Sequence, residues 1–244
     1  MTDKAESRKM KAETFAVIMA RVGSVGLPGK SLKLLLGRPV IAYTFDHVRE
    51  STLVTQSVVS SDDDTILDVA KQNGFATIKR PAELASNTAA TDPVLRHAVK
   101  TLAVQPDYVV MLYGNVPLRA NRMIDRCIEM LITTGCDSVQ TIAPVGKFHP
   151  YWQFNVDEQL RISKFIANNV FRRQELPPLF SPTGAVYVMK TSVLMAAEGS
   201  SDPHAFLGVD RRGLVVAPED SVDIDSPKDL FVAEAMLRAK KEGL

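Results

Sequence analysis

Cysteine is scarce: Cys127 and Cys136 are the two in 244 residues, which excludes a disulfide framework and favours a reducing cytoplasm. Charge of one sign is lacking too. Lys and Arg number 29 against 28 Asp and Glu, a formal charge of +1, so no bulk field recruits nucleic acid or an anionic membrane surface. No apolar run approaches the roughly 18 residues of a membrane span. Internal repeats and low-complexity tracts are absent, and Met1 to Lys11 is polar and charged without the apolar core of a signal peptide. Residues 1–13 therefore read as a disordered tail. The remaining chain, in a sequence that is 45% hydrophobic, is long enough for one sizeable core, and residues 14–244 read as a single α/β domain.

Two well-known phosphate motifs are also missing. The stretch Thr14 to Ser31 reads TFAVIMARVGSVGLPGKS, an apolar run followed by a loop with glycines at 23, 26 and 29 between Arg21 and Lys30. The run suits a parallel strand covered on both faces. Walker A requires a glycine where Ser24 stands, and the dinucleotide fingerprint fails because Gly23 and Gly26 are separated by Ser24 and Val25. Glycines alone fit an ordinary strand-to-helix turn. With a cation at each end, the loop suits an anion, since backbone N–H groups can converge where glycine permits close approach.

Farther on, the pattern alternates between strands and helices, which predicts a largely parallel sheet with right-handed crossovers. A helix from Pro39, a strand at 56–60, a helix that starts in the acidic run at 61–64, continues to about Asn73 and is ended by Gly74, and a strand at 75–79 come first. The acidic run Asp62-Asp63-Asp64 reads as a helix start rather than a metal cluster. A helix over 91–104, capped by Thr88 or Thr91, precedes an apolar strand ending near Leu112. Another helix over 121–134, capped by Asn121, leads to a strand at 138–143. Residues 144–182 are aromatic and proline-punctuated without helical period, which suits an inter-subunit surface; His149 and Trp152 there fit local packing or a substrate contact. A strand at 183–189 and another near 214–217 lead to Ser221-Val222-Asp223-Ile224-Asp225 and a terminal helix. Alternation puts Asp223 and Asp225 on one side, two hard oxygen ligands able to hold Mg²⁺, although D-x-D also occurs in surface loops and caps.

The strings AVIMARVGSVGLPGKS, VVSSDDDTI, RPAELASNT, HPYW with RRQELPP, TGAVY and DIDSPKDL resemble those of the acylneuraminate cytidylyltransferases, the CMP-sialic acid synthetase family. Val25, Ser31, Asn87 and Thr183 depart from the family pattern, as does Tyr113, where a glutamine that holds the acceptor sugar is usual. Gly114 and Pro117 instead align with the motif of the related Kdo cytidylyltransferases. The resemblance implies a Rossmann-like nucleotidyltransferase fold, with a mostly parallel mixed sheet, helices on both faces and a dimerisation insert at about 144–182.

For chemistry, the resemblance implies CTP and a 2-keto-3-deoxy sugar acid as substrates, Mg²⁺ as cofactor, and a homodimer or a tetramer built from it. Ala20, Arg21, Gly23, Ser24, Lys30, Arg80, Ser86 and Thr91 would surround the nucleotide. Tyr113, Asn115, Arg119, Arg173, Gln174 and Thr183 would face the sugar. Asp223 and Asp225 would hold the metal and, with Arg21 and Lys30, carry catalysis. A Kdo-type activity and a nucleotide-binding homologue without catalysis are the two alternatives.

Overall fold

The computed structural model describes residues 12–23, 26–86 and 88–243. The expected tail thus falls mostly outside the described residues. Its last residue, Glu13, is tied down, because its carbonyl accepts the N–H groups of Asp107 and Tyr108.

In chain order the elements are β1 (Thr14–Met19), β2 (Leu34–Leu35), β3 (Arg38–Pro39), α1 (Val40–Glu50), β4 (Gln56–Ser61), α2 (Asp64–Gln72) and β5 (Ala76–Lys79). Then follow α3 (Thr91–Lys100), β6 (Tyr108–Tyr113), α4 (Met123–Thr134), β7 (Ser138–Pro144), β8 (Phe154–Val156) and β9 (Ile162–Lys164). β10 (Phe180–Lys190), α5 (Thr191–Ala196), β11 (Arg211–Val215) and α6 (Pro227–Glu242) complete the order.

Seven strands form one sheet in the order β11-β7-β10-β6-β1-β4-β5. β10 runs antiparallel to β6 and β7, while the other neighbours are parallel. The sheet is therefore the mixed, mostly parallel kind expected. Strand alternation divides its side chains between two cores. Ala16 and Ile18 of β1, with Val110 and Leu112 of β6, pack beneath α1, α2 and α4. Phe15, Val17 and Met19 lie on the other face with Val94, Leu95 and Ala98 of α3 and Leu194 of α5. Burial on both faces is why β1 reads as an uninterrupted apolar run. A third cluster joins Leu35 and Val40 to Ala233 of α6, bringing the last helix against the start of α1.

Several boundaries differ from the sequence reading. α3 stops at Lys100, short of residue 104, and Val104 is exposed. Ala90 holds its N-cap position without a side-chain cap bond, so neither Thr88 nor Thr91 caps it. α4 begins after Arg122 rather than Asn121, because a turn from the Ala120 carbonyl to the Met123 N–H delays the helix. Asp63 does cap α2, accepting from the Ile66 N–H. Cys127 and Cys136 are buried and unpaired, and burial pushes the Cys127 thiol up to about 12.

Asp125 of α4 is the main polar anchor under the α1–β4 connection. Its carboxylate accepts from the Ser51 hydroxyl at 2.5 Å, from the Thr52 N–H and hydroxyl at 3.1 and 2.9 Å, and from the Leu53 N–H at 3.4 Å. Burial pushes this carboxyl's pKa up, but those donors outweigh it and hold the group below the ordinary range. A carboxyl depressed in the folded state stabilises above its unfolded pKa and loses that contribution in acid. Asp125→Ala should lower the unfolding free energy by about 2–4 kcal/mol at neutral pH. Denaturant titrations should show the deficit narrowing below about pH 4; a constant deficit would assign it to lost packing.

Candidate active site

A cleft of about 360 Å³ opens over the carboxyl ends of β1 and β6. There the chain order reverses, β4 lying to one side of β1 and β6 to the other. Open α/β sheets bind ligands at such switch points. Met19, Leu84, Ala89, Ala90 and Val94 give the cleft an apolar wall. Arg21, Lys30, Arg80, Asp223 and Asp225 charge its rim and floor.

Each charged group is placed by a different element. Arg21 leaves the end of β1 and its Nη1 donates to the Ser86 carbonyl at 2.9 Å, tying the glycine loop to the 81–90 connection. Arg80 is buried at the end of β5, where its Nη2 donates to the Ser60 carbonyl at 2.7 Å. Burial lowers the Arg80 pKa, with Asp62 opposing and Arg21 adding to the shift. Lys30 begins a short 3₁₀ turn after Gly29, whose φ of 64° is the left-handed conformation that suits glycine. Its Nζ lies 2.5 Å from Asp225 Oδ1.

The 223–225 segment is pinned from both ends. Ile224 is fully buried and divides the two aspartates, both of which face the cleft. Asp229, in the first turn of α6, accepts the N–H groups of Asp225 and Ser226 at 3.1 and 2.8 Å. From the other side Gly26 presses against Asp225 so closely that a Cβ there would lie 2.4 Å from the Asp225 carbonyl oxygen. Burial, then the Asp225 charge, raises the Asp223 pKa to about 6 despite the opposing Lys30. Tyr113 lines the same cleft, and burial raises its pKa.

Among the sequence candidates, Ala20, Arg21, Lys30, Arg80, Ser86, Thr91, Tyr113, Asn115, Asp223 and Asp225 line this one cleft. Ser24 lies outside the described residues, and Gly23 is exposed beside the cleft rather than lining it. Arg119 is not a surface for the sugar. It is fully buried, and its guanidinium donates to Ala185 O, Thr44 Oγ1, Val116 O and Tyr113 O. Thr183 is likewise committed, its hydroxyl 2.7 Å from that of Thr141. Arg173 and Gln174 stand on an exposed turn of the 144–182 segment, away from the cleft of their own chain. Within that segment His149 accepts from the Tyr151 N–H and Trp152 donates to the Val170 carbonyl, both local contacts.

Sequence reasoning missed the apolar wall and Ser31, which is buried and lines the cleft. Met19 could have been found, since it ends the strand whose alternation was legible.

Residues 15–189 match the family described as cytidylyltransferase. The chain belongs to that family. The CMP-N,N'-diacetyllegionaminic acid synthase of Legionella pneumophila is 30% identical over 240 residues, covering 94% of this chain and 98% of its own. The pseudaminic acid cytidylyltransferase of Campylobacter jejuni is 27% identical over 236 residues, 94% of this chain and 98% of that one. A solved CMP:2-keto-3-deoxy-manno-octonic acid synthetase complexed with CTP superposes with a TM-score of 0.73 over 94% of this chain and 100% of the other. At 19% identity, that likeness shows the nucleotidyltransferase fold.

The carboxylates of this cytidylyltransferase fit a hard divalent cation. No group of three or more His, Cys, Asp or Glu residues that could hold a metal occurs among the described residues. Two carboxylates completed by ligand phosphates and water are what Mg²⁺ commonly takes.

An Asp223 carboxyl with a raised folded pKa costs stability once both states ionise, and this cost develops between the unfolded value of 3.8 and about 6. In chelator-treated protein, Asp223→Asn should therefore raise the melting temperature at pH 7.5 and leave it nearly unchanged at pH 3.5. A lower melting temperature at pH 7.5 would mean that the carboxylate is already compensated in the folded chain.

Proposed function

We propose that this cytidylyltransferase activates a 2-keto-3-deoxy sugar acid of the nonulosonic class with CTP. The anomeric hydroxyl oxygen bonds to the α-phosphorus, the α–β phosphoanhydride bond breaks, pyrophosphate leaves, and the hydroxyl proton is released. The products are a CMP-sugar and pyrophosphate. The observation that carries this reading is the approach of Lys30 to Asp225 within one cleft of a cytidylyltransferase. A cation for phosphate oxygens and carboxylates for a metal stand side by side.

In this reading the apolar wall of Met19, Leu84 and Val94 receives the cytosine, with Arg80, Ser86 and Thr91 beside it. Arg21 and Lys30 neutralise phosphate charge that grows as pyrophosphate leaves. Asp223 and Asp225 would hold Mg²⁺, which when bound supplies electrostatic stabilisation to the triphosphate. Tyr113 borders the acceptor. Positioning and preorganised charge account for this type of catalysis without a covalent nucleophile. Use of CTP and the two unpaired cysteines support a cytoplasmic setting. No helix among the described residues is long and apolar enough to cross a membrane.

The surface of residues 144–182 supports a homodimer. Phe154, Ile162, Phe165 and Phe171 are all exposed there, Phe171 by 87%, an apolar concentration that marks interaction surfaces. Arg173 and Gln174 on that segment would then serve a partner's cleft rather than their own. Light scattering coupled to size exclusion should give twice the chain mass of 26.8 kDa or a multiple of it; a monomer at micromolar concentration would reject the dimer.

CTP and Mg²⁺ incubated with legionaminic, pseudaminic, N-acetylneuraminic and 3-deoxy-octulosonic acids should release pyrophosphate with at least one nine-carbon acid. Release with the octulosonic acid alone would move the substrate to the Kdo class. Lys30→Ala should lower kcat by roughly 10²–10³-fold with a smaller change in CTP affinity. Folded protein that is silent with all four acids would sink the proposal.

A further inference from the structure

Asn115 lies two residues past the end of β6, in the loop where a sugar contact is expected, yet its polar atoms are turned to another task. Gly114 lets this loop press inward, since a Cβ there would stand 3.1 Å from Ile41 and 3.3 Å from Ala20. Asn115 is consequently 6% exposed. Its carbonyl accepts the Ile224 N–H at 3.0 Å, and its Nδ2 donates to the Ile224 carbonyl at 3.0 Å. The same Nδ2 donates to Asp223 Oδ1. An asparagine amide has two N–H donors, so one is used on each oxygen.

We infer that Asn115 is a positioning residue that fixes the Asp223 carboxylate for the metal–triphosphate complex. It grips the peptide of Ile224 at two points, and the buried Ile224 side chain prevents the segment from sliding. The second amide proton then holds one oxygen of Asp223 and leaves the other, Oδ2, directed toward the space beside Gly184, where a Cβ would be 3.9 Å away. The residue type follows from this geometry. A carboxylate at 115 would repel Asp223, an aliphatic side chain would leave its oxygen without a donor, and a shorter hydroxyl would not bridge both acceptors. Neighbours that orient a metal-binding carboxylate typically influence metal affinity by about 10–100-fold when removed.

The inference rests on the cytidylyl-transfer reading but needs no acceptor sugar for its test. CTP binding is titrated calorimetrically, with Mg²⁺ and with chelator, to the wild type, Asn115→Ala, Asp223→Asn and the double variant. Asn115→Ala should weaken CTP binding in Mg²⁺ by about 10-fold or more and change metal-free binding by no more than about 2-fold. In the Asp223→Asn background it should have no further effect, the non-additivity expected when one residue acts through another. Asn115→Ser, whose hydroxyl stays near the backbone, gives the same reading if the alanine protein is unstable. An undiminished effect of Asn115→Ala in the Asp223→Asn background would overturn the inference. So would a wild type that binds CTP equally with Mg²⁺ and with chelator. Failure of every sugar acid to react, with CTP binding intact, would count against the acceptor and leave this result standing. A wild type that does not bind CTP would remove both.

Discussion

Lys30 and Asp225 are 195 positions apart in the chain and 2.5 Å apart in space, and the cleft depends on that meeting. Ion pairs with a well-exposed partner contribute little to stability, about 0–1 kcal/mol, and Asp225 is 69% exposed in its side chain. The pair's importance is therefore positional. β1 brings the glycine loop to the carboxyl edge of the sheet, while Ile224, buried against Leu35, Val40 and Leu118, seats the aspartates opposite. Gly26 allows the two backbones to approach without a side chain between them.

Beneath the cleft, buried polar groups do the holding that apolar packing cannot direct. Arg119 crosses the base of the loop after β6 and joins it to Thr44 of α1 and Ala185 of β10 through four donated bonds. Its burial without a paired carboxylate lowers its pKa to about 9, with Asp223 opposing. Directional bonds of this kind specify one loop conformation, since any buried oxygen they abandon would lack a partner. Asp125 does the same under the α1–β4 connection. The sheet is thus fixed by side-chain alternation and its ligand-facing loops by a few saturated polar residues.

Much of the fold is legible in the sequence for the same reason. The apolar run at 15–19, the Asp63 cap and Gly74 each impose a local solution that tertiary contacts do not overturn. Legibility fails where the deciding partner is remote. Nothing near Arg119 in sequence announces that its acceptors come from α1, β6 and β10, so a conspicuous arginine in a loop reads as a ligand contact. Thr183 is hidden in the same way by Thr141, 42 residues away. The start of α4 departs from the Asn121 reading because a turn closed by the Ala120–Met123 backbone bond outweighs the preference of asparagine for the cap. Ten candidate residues nevertheless converge on the cleft, because glycine loops, strand ends and an alternating acidic pair carry their own geometric meaning.

The close seat of Gly26 on Asp225 ties the identity of one loop residue to the shape of the opposite bank. Even the methyl group of alanine would stand 2.4 Å from the Asp225 carbonyl oxygen, a separation real side chains do not show, so the acidic segment would have to retreat and carry Asp225 away from Lys30. The width of the furrow is thus set by a side chain that position 26 leaves out.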